Sequence, residues 1–536
     1  MGILFRFFNI EGKVYWHNET YTSLRISGYT TTQVKQQIFN GQVIDKESFA
    51  LFQGVNSDKS LNDTIMTLVM EDSQHPPLYY VIARLWLAIF GNSVTAIRSL
   101  SALMSLLIFP GVYWLCRELF NVPLSVPGLA IALMAISPIH LVYAQEAGEY
   151  ILWLLSISLS STALLRAIRL EPQDKAKLAP EKQPPDRFAN WSIYAVTLAL
   201  SLYTFLWSGF VAIAHGIYVL ITNRFQLNET VRAYLLASLV GFLAFMPWMA
   251  IIIASFFQFL ISADGTETIM QSNSMAVIPF ALIQLSRIFF DLNFGLENPF
   301  SYVVVPVFLT LVGYALYFLC RTTNYKIWLF ILILIVVPAL PLMLPNLIFG
   351  DISSVAEAYL IPSYLGIQLA VAYLLATQLY YGNLSRRLIW QIVTVLIIIC
   401  GLVSSRVSIQ ADTWWNKGMS YGNPQVAQII NQTARPLVVS DAFGTNYGNV
   451  FSLSYLLQPK VKFVLVQDQK VPRIPDSFAD VFLFNPTYNW RKAIEKRYNS
   501  KTELVYSDRY YSVWKLVKSD TLQRRNLPRR NNIKIS

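Results

Sequence analysis

Apolar runs long enough to cross a lipid bilayer follow one another along this 536-residue chain, and nothing else narrows its folds as far. About ten candidate spans stand out, at roughly 95–116, 126–141, 150–168, 190–206, 208–223, 233–262, 300–320, 327–347, 359–379 and 388–405. At about 1.5 Å per residue the first of them covers roughly the 30 Å hydrocarbon layer. The 233–262 run exceeds that length and must tilt, bend at Pro247 or end at the interface. Lipid offers a backbone amide no partner, so these runs are predicted to be helices.

Composition agrees. Hydrophobic residues make up 54% of the chain and charged residues only 14%, where a soluble domain carries about a quarter. The mean hydropathy is +0.43. These values exclude a disordered protein, a disulfide scaffold and a nucleic-acid-binding domain with an ordinary charged exterior. The net charge of +11 calls for no nucleic-acid partner, because much of the excess sits in short loops and in the basic tail at 519–536. Cys116, Cys320 and Cys400 fall far apart in or beside apolar runs and read as inert thiols.

Orientation follows from the loops. Arg117, then Arg166 to Arg187, then Arg224 and Arg232, then Arg321 and Lys326, then Arg386 and Arg387 alternate with loops almost free of Lys and Arg. The positive-inside rule puts the basic set in the cytoplasm, including the Pro- and charge-rich linker over 171–187. Segments 1–94 and 406–536 are then extracytoplasmic. The apolar lead-in at 2–9 is too short to span, so a first helix upstream of Met1 is expected. The 76–90 run holds Arg84 and is expected to lie along the outer interface, as is 277–292.

After Arg406 the pattern turns to short β-type runs at 436–440, 461–466, 480–484, 504–506 and 511–516, with a helix at 489–498. The expected organisation is a first extracytoplasmic loop with interfacial helices (1–94), a transmembrane helical domain (95–405), a small extracytoplasmic α/β domain (406–518) and a basic disordered tail (519–536).

Ionisable residues that could carry chemistry gather on the outer side. His17, Asn18 and Glu19 follow Trp16; His75 precedes Pro76 and Pro77; His140 precedes Gln145 and Glu146. A carboxylate at the membrane boundary can take a proton from an acceptor hydroxyl. The bland readings are that Glu19 solvates a loop end, that His75 caps a helix, and that His17 and His140 pack. The spacing lacks the compact histidine pair of a zinc helix, so no metal ligand is assigned and a divalent metal is left open.

Three elements in order carry a resemblance: Tyr15-Trp16-His17-Asn18-Glu19-Thr20-Tyr21-Thr22, Gln74-His75-Pro76-Pro77-Leu78-Tyr79-Tyr80, and Ser137-Pro138 leading to Tyr143-Ala144-Gln145-Glu146-Ala147. Together with Tyr359-Leu360-Ile361-Pro362 they resemble glycosyltransferase family 39, the protein-mannosyltransferase-like branch of the GT-C membrane glycosyltransferases. The resemblance implies a GT-C-type α-helical polytopic membrane protein in a bacterial cytoplasmic (inner) membrane. It implies transfer of a sugar from a polyprenyl-phosphate donor to an extracytoplasmic protein, lipid or glycan acceptor. It further implies Glu19 as the base, Asn18 positioning a hydroxyl, and His75, Gln145, Glu146, Tyr150, Arg98 and Tyr359 lining the substrate pocket, with Glu19 and Glu146 sharing one cavity.

Three positions depart from the family pattern. Asn18 stands where the family carries Asp, and Gly148 and Ala358 stand where it carries Arg. An amide takes up no proton at neutral pH, and each missing cation removes charge-assisted bonds of about 1.5–3 kcal/mol from a bound phosphate. A relative that binds a lipid-linked glycan without turnover is therefore the alternative. A lipid-glycan transporter ranks below both, because ionisable groups near the bilayer midplane are few.

Overall fold

The computed structural model describes residues 1–120, 125–171, 186–262, 277–295, 297–349 and 357–518. Most of the expected linker at 171–187 and the whole expected tail lie outside the described residues. The chain divides into two compact units: Met1–Ile10 with Leu68–Gln410, and Glu11–Thr67 with Ala411–Ser536. The segment expected as one outer loop, 1–94, is thus shared between the two units.

The first unit is helical. Among the described residues, seven of its helices are long and apolar enough to cross a membrane, or eight when the pair Ser125–Ile136 and Pro138–Ala144, bent by 61°, counts as one span. Each expected run coincides with a helix, but Arg187–Thr204 and Ser208–Thr222 fall outside that set. Leu78–Phe90 is a shorter apolar helix, also outside it. Helix starts follow ordinary capping chemistry: Ser93 Oγ accepts from Ala96 N at 3.0 Å and Asp186 Oδ1 from Ala189 N at 3.0 Å.

Ile361–Tyr381 is the central helix, with nearly every side chain from Ile361 to Ala376 buried. Its Gly366 lets a neighbour come close, since a Cβ there would meet Ile335 Cγ1 at 2.6 Å. Small residues at such crossings allow the close backbone packing that replaces a hydrophobic driving force in lipid. Polar side chains tie the bundle internally. His140 Nε2 and Gln368 Oε1 are 2.7 Å apart, and Trp153 Nε1 donates to Ser208 Oγ at 2.9 Å.

The N-terminal helix Gly2–Phe7 is anchored by a buried cation. Arg6 donates from Nη1 to Gly2 O and Ala135 O, from Nη2 to Met134 O at 3.1 Å, and from Nε to Ser105 Oγ at 2.9 Å. The bend at Ser137 leaves the last carbonyls of Ser125–Ile136 without helical partners, and the guanidinium supplies donors and charge there.

The second unit is a six-stranded sheet with helices on both faces. Its strands are β1 (Asn40–Asp45), β2 (Pro436–Asp441), β3 (Lys462–Val466), β4 (Asp480–Phe484), β5 (Ser500–Ser507) and β6 (Ser512–Lys518), in spatial order β1-β3-β2-β4-β6-β5. The central pairs β3-β2 and β2-β4 are parallel, and β1, β6 and β5 add antiparallel edges. Every residue of β2 is buried. Val438 faces a core built with Phe463, Phe482, Val450, Phe451, Phe49 and Phe52, while Leu437 and Val439 face Val464, Leu483, Trp490 and Ile494. Burial on both faces explains why this strand reads as a continuous apolar run. The expected C-terminal strands and the 489–498 helix (observed as Tyr488–Arg497) are present. β1 comes from the N-terminal segment and was not anticipated.

Candidate functional site

In the second unit, the helix His17–Ser27 presents the expected acidic element. Asn18 is exposed and Glu19 is fully buried. Glu19 Oε2 lies 3.3 Å from Lys417 Nζ, itself 1% exposed, and accepts from Trp16 N at 3.3 Å. Trp16 also packs its ring against the Lys417 ammonium at 5.5 Å. The carboxylate closes the first turn of its helix and neutralises a buried ammonium, so it does not present to solvent as a base would. His17 is buried beside Tyr21, its ring 4.9 Å away, and burial holds its imidazole down at about 4. Gly448 lies against both rings, for a Cβ there would meet Tyr21 Cε2 at 2.5 Å and His17 Cε1 at 2.7 Å.

In the first unit a second set of residues converges. His75 Nδ1 is 2.8 Å from Glu149 Oε1, and His75 Nε2 is 3.8 Å from Asp72 Oδ1. Glu149 heads the helix Tyr150–Arg169, where the positive end of the helix dipole favours a carboxylate. Tyr150 has Glu146, Glu149, Glu357 and Tyr359 as electrostatic neighbours, and Tyr143 has Glu146, Glu357, Tyr364 and Tyr150. An aromatic wall runs alongside: Tyr359 stacks on Trp207 with centroids 5.0 Å apart and planes at 20°, Phe205 lies 5.2 Å from Tyr359, and Tyr150 lies 5.9 Å from Phe205.

A cation closes this set. Arg287, 5% exposed, donates from Nη1 to Gln284 Oε1 at 3.1 Å and from Nη2 to Phe294 O at 3.2 Å, and its Nε is 3.9 Å from Asp291 Oδ1. Gln284 donates in turn to Glu357 Oε1 at 3.1 Å, and Glu357 is an electrostatic neighbour of Arg287. Arg287 is a residue that the sequence analysis above does not single out. Its signal was that it stood alone among Asp264, Glu267, Asp291 and Glu297. Ala358, at the position expected to carry the family's arginine, is buried beside Glu357.

The structure thus brings His75, Glu146, Tyr150 and Tyr359 together and adds Asp72, Glu149, Glu357, Gln284 and Arg287. Two further expected pocket residues bind backbone. Gln145 Nε2 donates to Phe5 O at 2.8 Å and Phe8 O at 3.0 Å, and Arg98 Nη1 donates to Ile10 O at 2.9 Å. Both bind the backbone of the N-terminal segment. Glu19 and Asn18 belong to the other unit. Among the described residues no three His, Cys, Asp or Glu side chains are arranged to hold a metal ion.

Residues 74–251 match the family described as dolichyl-phosphate-mannose-protein mannosyltransferase. ArnT from Cupriavidus metallidurans, solved bound to undecaprenyl phosphate, superposes with a TM-score of 0.52 at 11% identity, covering 96% of each chain. Its apo form gives 0.49 at 13% identity, over 89% of this chain and 94% of that one. The archaeal oligosaccharyltransferase AglB from Archaeoglobus fulgidus, in complex with an inhibitory peptide and a dolichol-phosphate, gives 0.45 at 13% identity, over 85% and 67%. No curated protein sequence matches the chain. Residues 74–251 are thus similar to the protein-mannosyltransferase-like family, and the chain shares the fold of ArnT.

Proposed function

We propose that this chain transfers a sugar from a polyprenyl-phosphate donor to an acceptor on the extracytoplasmic side of a cytoplasmic membrane. The observation that carries the reading is the cluster in the first unit: the aromatic wall of Tyr359, Trp207, Phe205 and Tyr150, edged by Glu146, Glu149 and Glu357, with Arg287 buried beside them. Sugars stack their C–H faces on aromatic rings and give their hydroxyl protons to carboxylates. Positive charge developing at the anomeric carbon in the transition state is stabilised by fixed carboxylates. The departing phosphate needs a cation, and a guanidinium offers paired donors in a fixed geometry. The apolar spans that carry these residues let a polyprenyl tail stay in hydrocarbon while its head group reaches the cluster.

The reaction forms a bond from an acceptor oxygen to the anomeric carbon and breaks the bond from that carbon to the phosphate oxygen. The test is release of polyprenyl phosphate from a polyprenyl-phosphate sugar by the protein in lipid nanodiscs. Release that rises with acceptor supports transfer, and binding of donor with no release under any acceptor overturns it. A second reading, glycan binding without turnover, is favoured by one arrangement: the family's usual acid is Asn18 here and its neighbour Glu19 is sealed against Lys417. The same assay separates the two.

A further inference from the structure

Transfer to a hydroxyl needs a group that accepts the acceptor's proton, and the residues expected to do so are an amide at position 18 and a buried, ion-paired carboxylate at position 19. We propose that His75, oriented by Glu149, is the general base of this reaction. The inference rests on the transfer reading above and goes beyond it by naming the proton acceptor.

The geometry is that of an imidazole held by a carboxylate. His75 Nδ1 and Glu149 Oε1 are 2.8 Å apart, which fixes the ring, and in the neutral tautomer that this pairing favours Nδ1 carries the proton and Nε2 the lone pair. The Glu149 side chain is 5% exposed and the His75 side chain 24%. The ring, rather than the carboxylate, is therefore what an acceptor meets. His75 does not cap the helix that follows it. Its backbone N–H donates to Asp72 O at 2.9 Å, and the helix Leu78–Phe90 starts behind Pro77 with no side-chain cap.

Groups that face the ring come from four neighbouring elements. Asp72 follows the helix Leu61–Glu71, with Oδ1 3.8 Å from Nε2. Glu149 heads Tyr150–Arg169. Tyr80, on Leu78–Phe90, lies 6.4 Å away, and uncharged Phe205 lies 6.5 Å away. Tyr359 interacts electrostatically with both Glu149 and Asp72. Two carboxylates thus flank a ring that must become cationic when it takes a proton, and each stabilises that cation. The aromatic wall that would seat the sugar runs through Phe205 and Tyr359, so the ring stands at the edge of the same surface.

In the step, the acceptor O–H bond breaks and its proton passes to His75 Nε2. The oxygen's electron pair forms the bond to the anomeric carbon, and the pair of the broken carbon–oxygen bond leaves with polyprenyl phosphate. The imidazolium then returns its proton to water or to the departing phosphate. Glu149 is a positioning residue, since it acts through the ring.

The test uses the full chain in nanodiscs with a polyprenyl-phosphate sugar that the wild type turns over. His75→Gln is expected to lower release by about 10²–10⁴-fold, with donor affinity within about threefold of wild type. His75→Ala is expected to regain part of the loss when free imidazole is added, a rescue that a misfolded variant would not show. Glu149→Gln is expected to lower turnover by about tenfold and to move the acid limb of the pH–rate profile to lower pH, because the cationic ring loses a stabilising charge. A His75→Gln variant that keeps more than a third of wild-type release overturns the proposal and leaves the transfer reading standing. A wild type that binds donor and never releases polyprenyl phosphate overturns both.

Discussion

Replacing Glu19 by Gln separates a structural carboxylate from a catalytic one. The pair with Lys417 is 3.3 Å long, and its side chains are 0% and 1% exposed. At an effective dielectric of about 20 their attraction is about 5 kcal/mol, but each ion has given up several kcal/mol of hydration. The net worth of the intact pair against an apolar pair is therefore small. Removing one member is different, because the other stays buried and uncompensated at a cost of about 3–5 kcal/mol. An amide oxygen can still accept from Lys417, so Glu19→Gln should fall at the low end, about 3 kcal/mol. For a unit of this size that is roughly 6–12 °C in Tm. The assay is intrinsic-tryptophan melting of the full chain in detergent, run beside polyprenyl phosphate release. Glu19→Gln should melt early yet retain turnover below its transition, and adding Lys417→Met should restore most of the lost Tm. A Glu19→Gln variant that melts with the wild type and has lost all release would refute the argument and make Glu19 the base.

Other consequences are independent of that pair. Burial holds the His17 imidazole at about 4, against about 6.5 in the unfolded chain. The unfolded state therefore takes up a proton first, and the second unit should lose roughly 3 kcal/mol as pH falls from 6.5 to 4; a His17→Gln variant should show a flatter acid limb in melts across that window. Gly448→Ala would push a methyl into His17 and Tyr21, at 2.7 and 2.5 Å, and should cost about 1–3 kcal/mol in the same melts. Arg287→Gln should weaken donor binding by about 1.5–3 kcal/mol, close to 10–150-fold in Kd, if its guanidinium meets the phosphate; an unchanged Kd by titration in nanodiscs would remove it from that role.

The helical spans were legible because their cause is local. A run such as that of Val94–Leu119 must satisfy its own amides in lipid, and its length follows from the thickness it crosses. The strands Pro436–Asp441 and Asp480–Phe484 were legible for a related reason, since burial on both faces leaves a compact apolar signature. β1 was not, because four of the six residues in Asn40–Asp45 are exposed and its register comes from Lys462–Val466, more than four hundred residues away. The motif segments divided in the same way. His75, Glu146, Tyr150 and Tyr359, which local motifs expose to a side-chain reading, lie near one another in the first unit. The backbone contacts of Gln145 and Arg98 were hidden, because carbonyls at Phe5, Phe8 and Ile10 carry no signature in a side-chain pattern.

Asn18 stands where the family this chain resembles carries an acid, and the arrangement gives that difference a physical meaning. The first turn of His17–Ser27 exposes position 18 and buries position 19, so the two neighbours were never interchangeable. One faces solvent, where a carboxylate could be protonated and deprotonated freely; the other completes a cap and holds Lys417. A chain that loses the outward acid cannot recruit its inward neighbour without breaking the ion pair, at about 3–5 kcal/mol. A replacement base is cheaper to supply from a group that is already partly exposed and already paired, and His75 with Glu149 meets both conditions. Restoring the outward acid tests this directly. Asn18→Asp places a carboxylate at an exposed position in the first turn of a helix, where the dipole favours it, so it should leave the melt unchanged. If His75 carries the proton, Asn18→Asp in a His75→Gln background should leave release at the level of His75→Gln alone. Release restored to the wild-type rate would show that position 18 remains poised for chemistry in this chain.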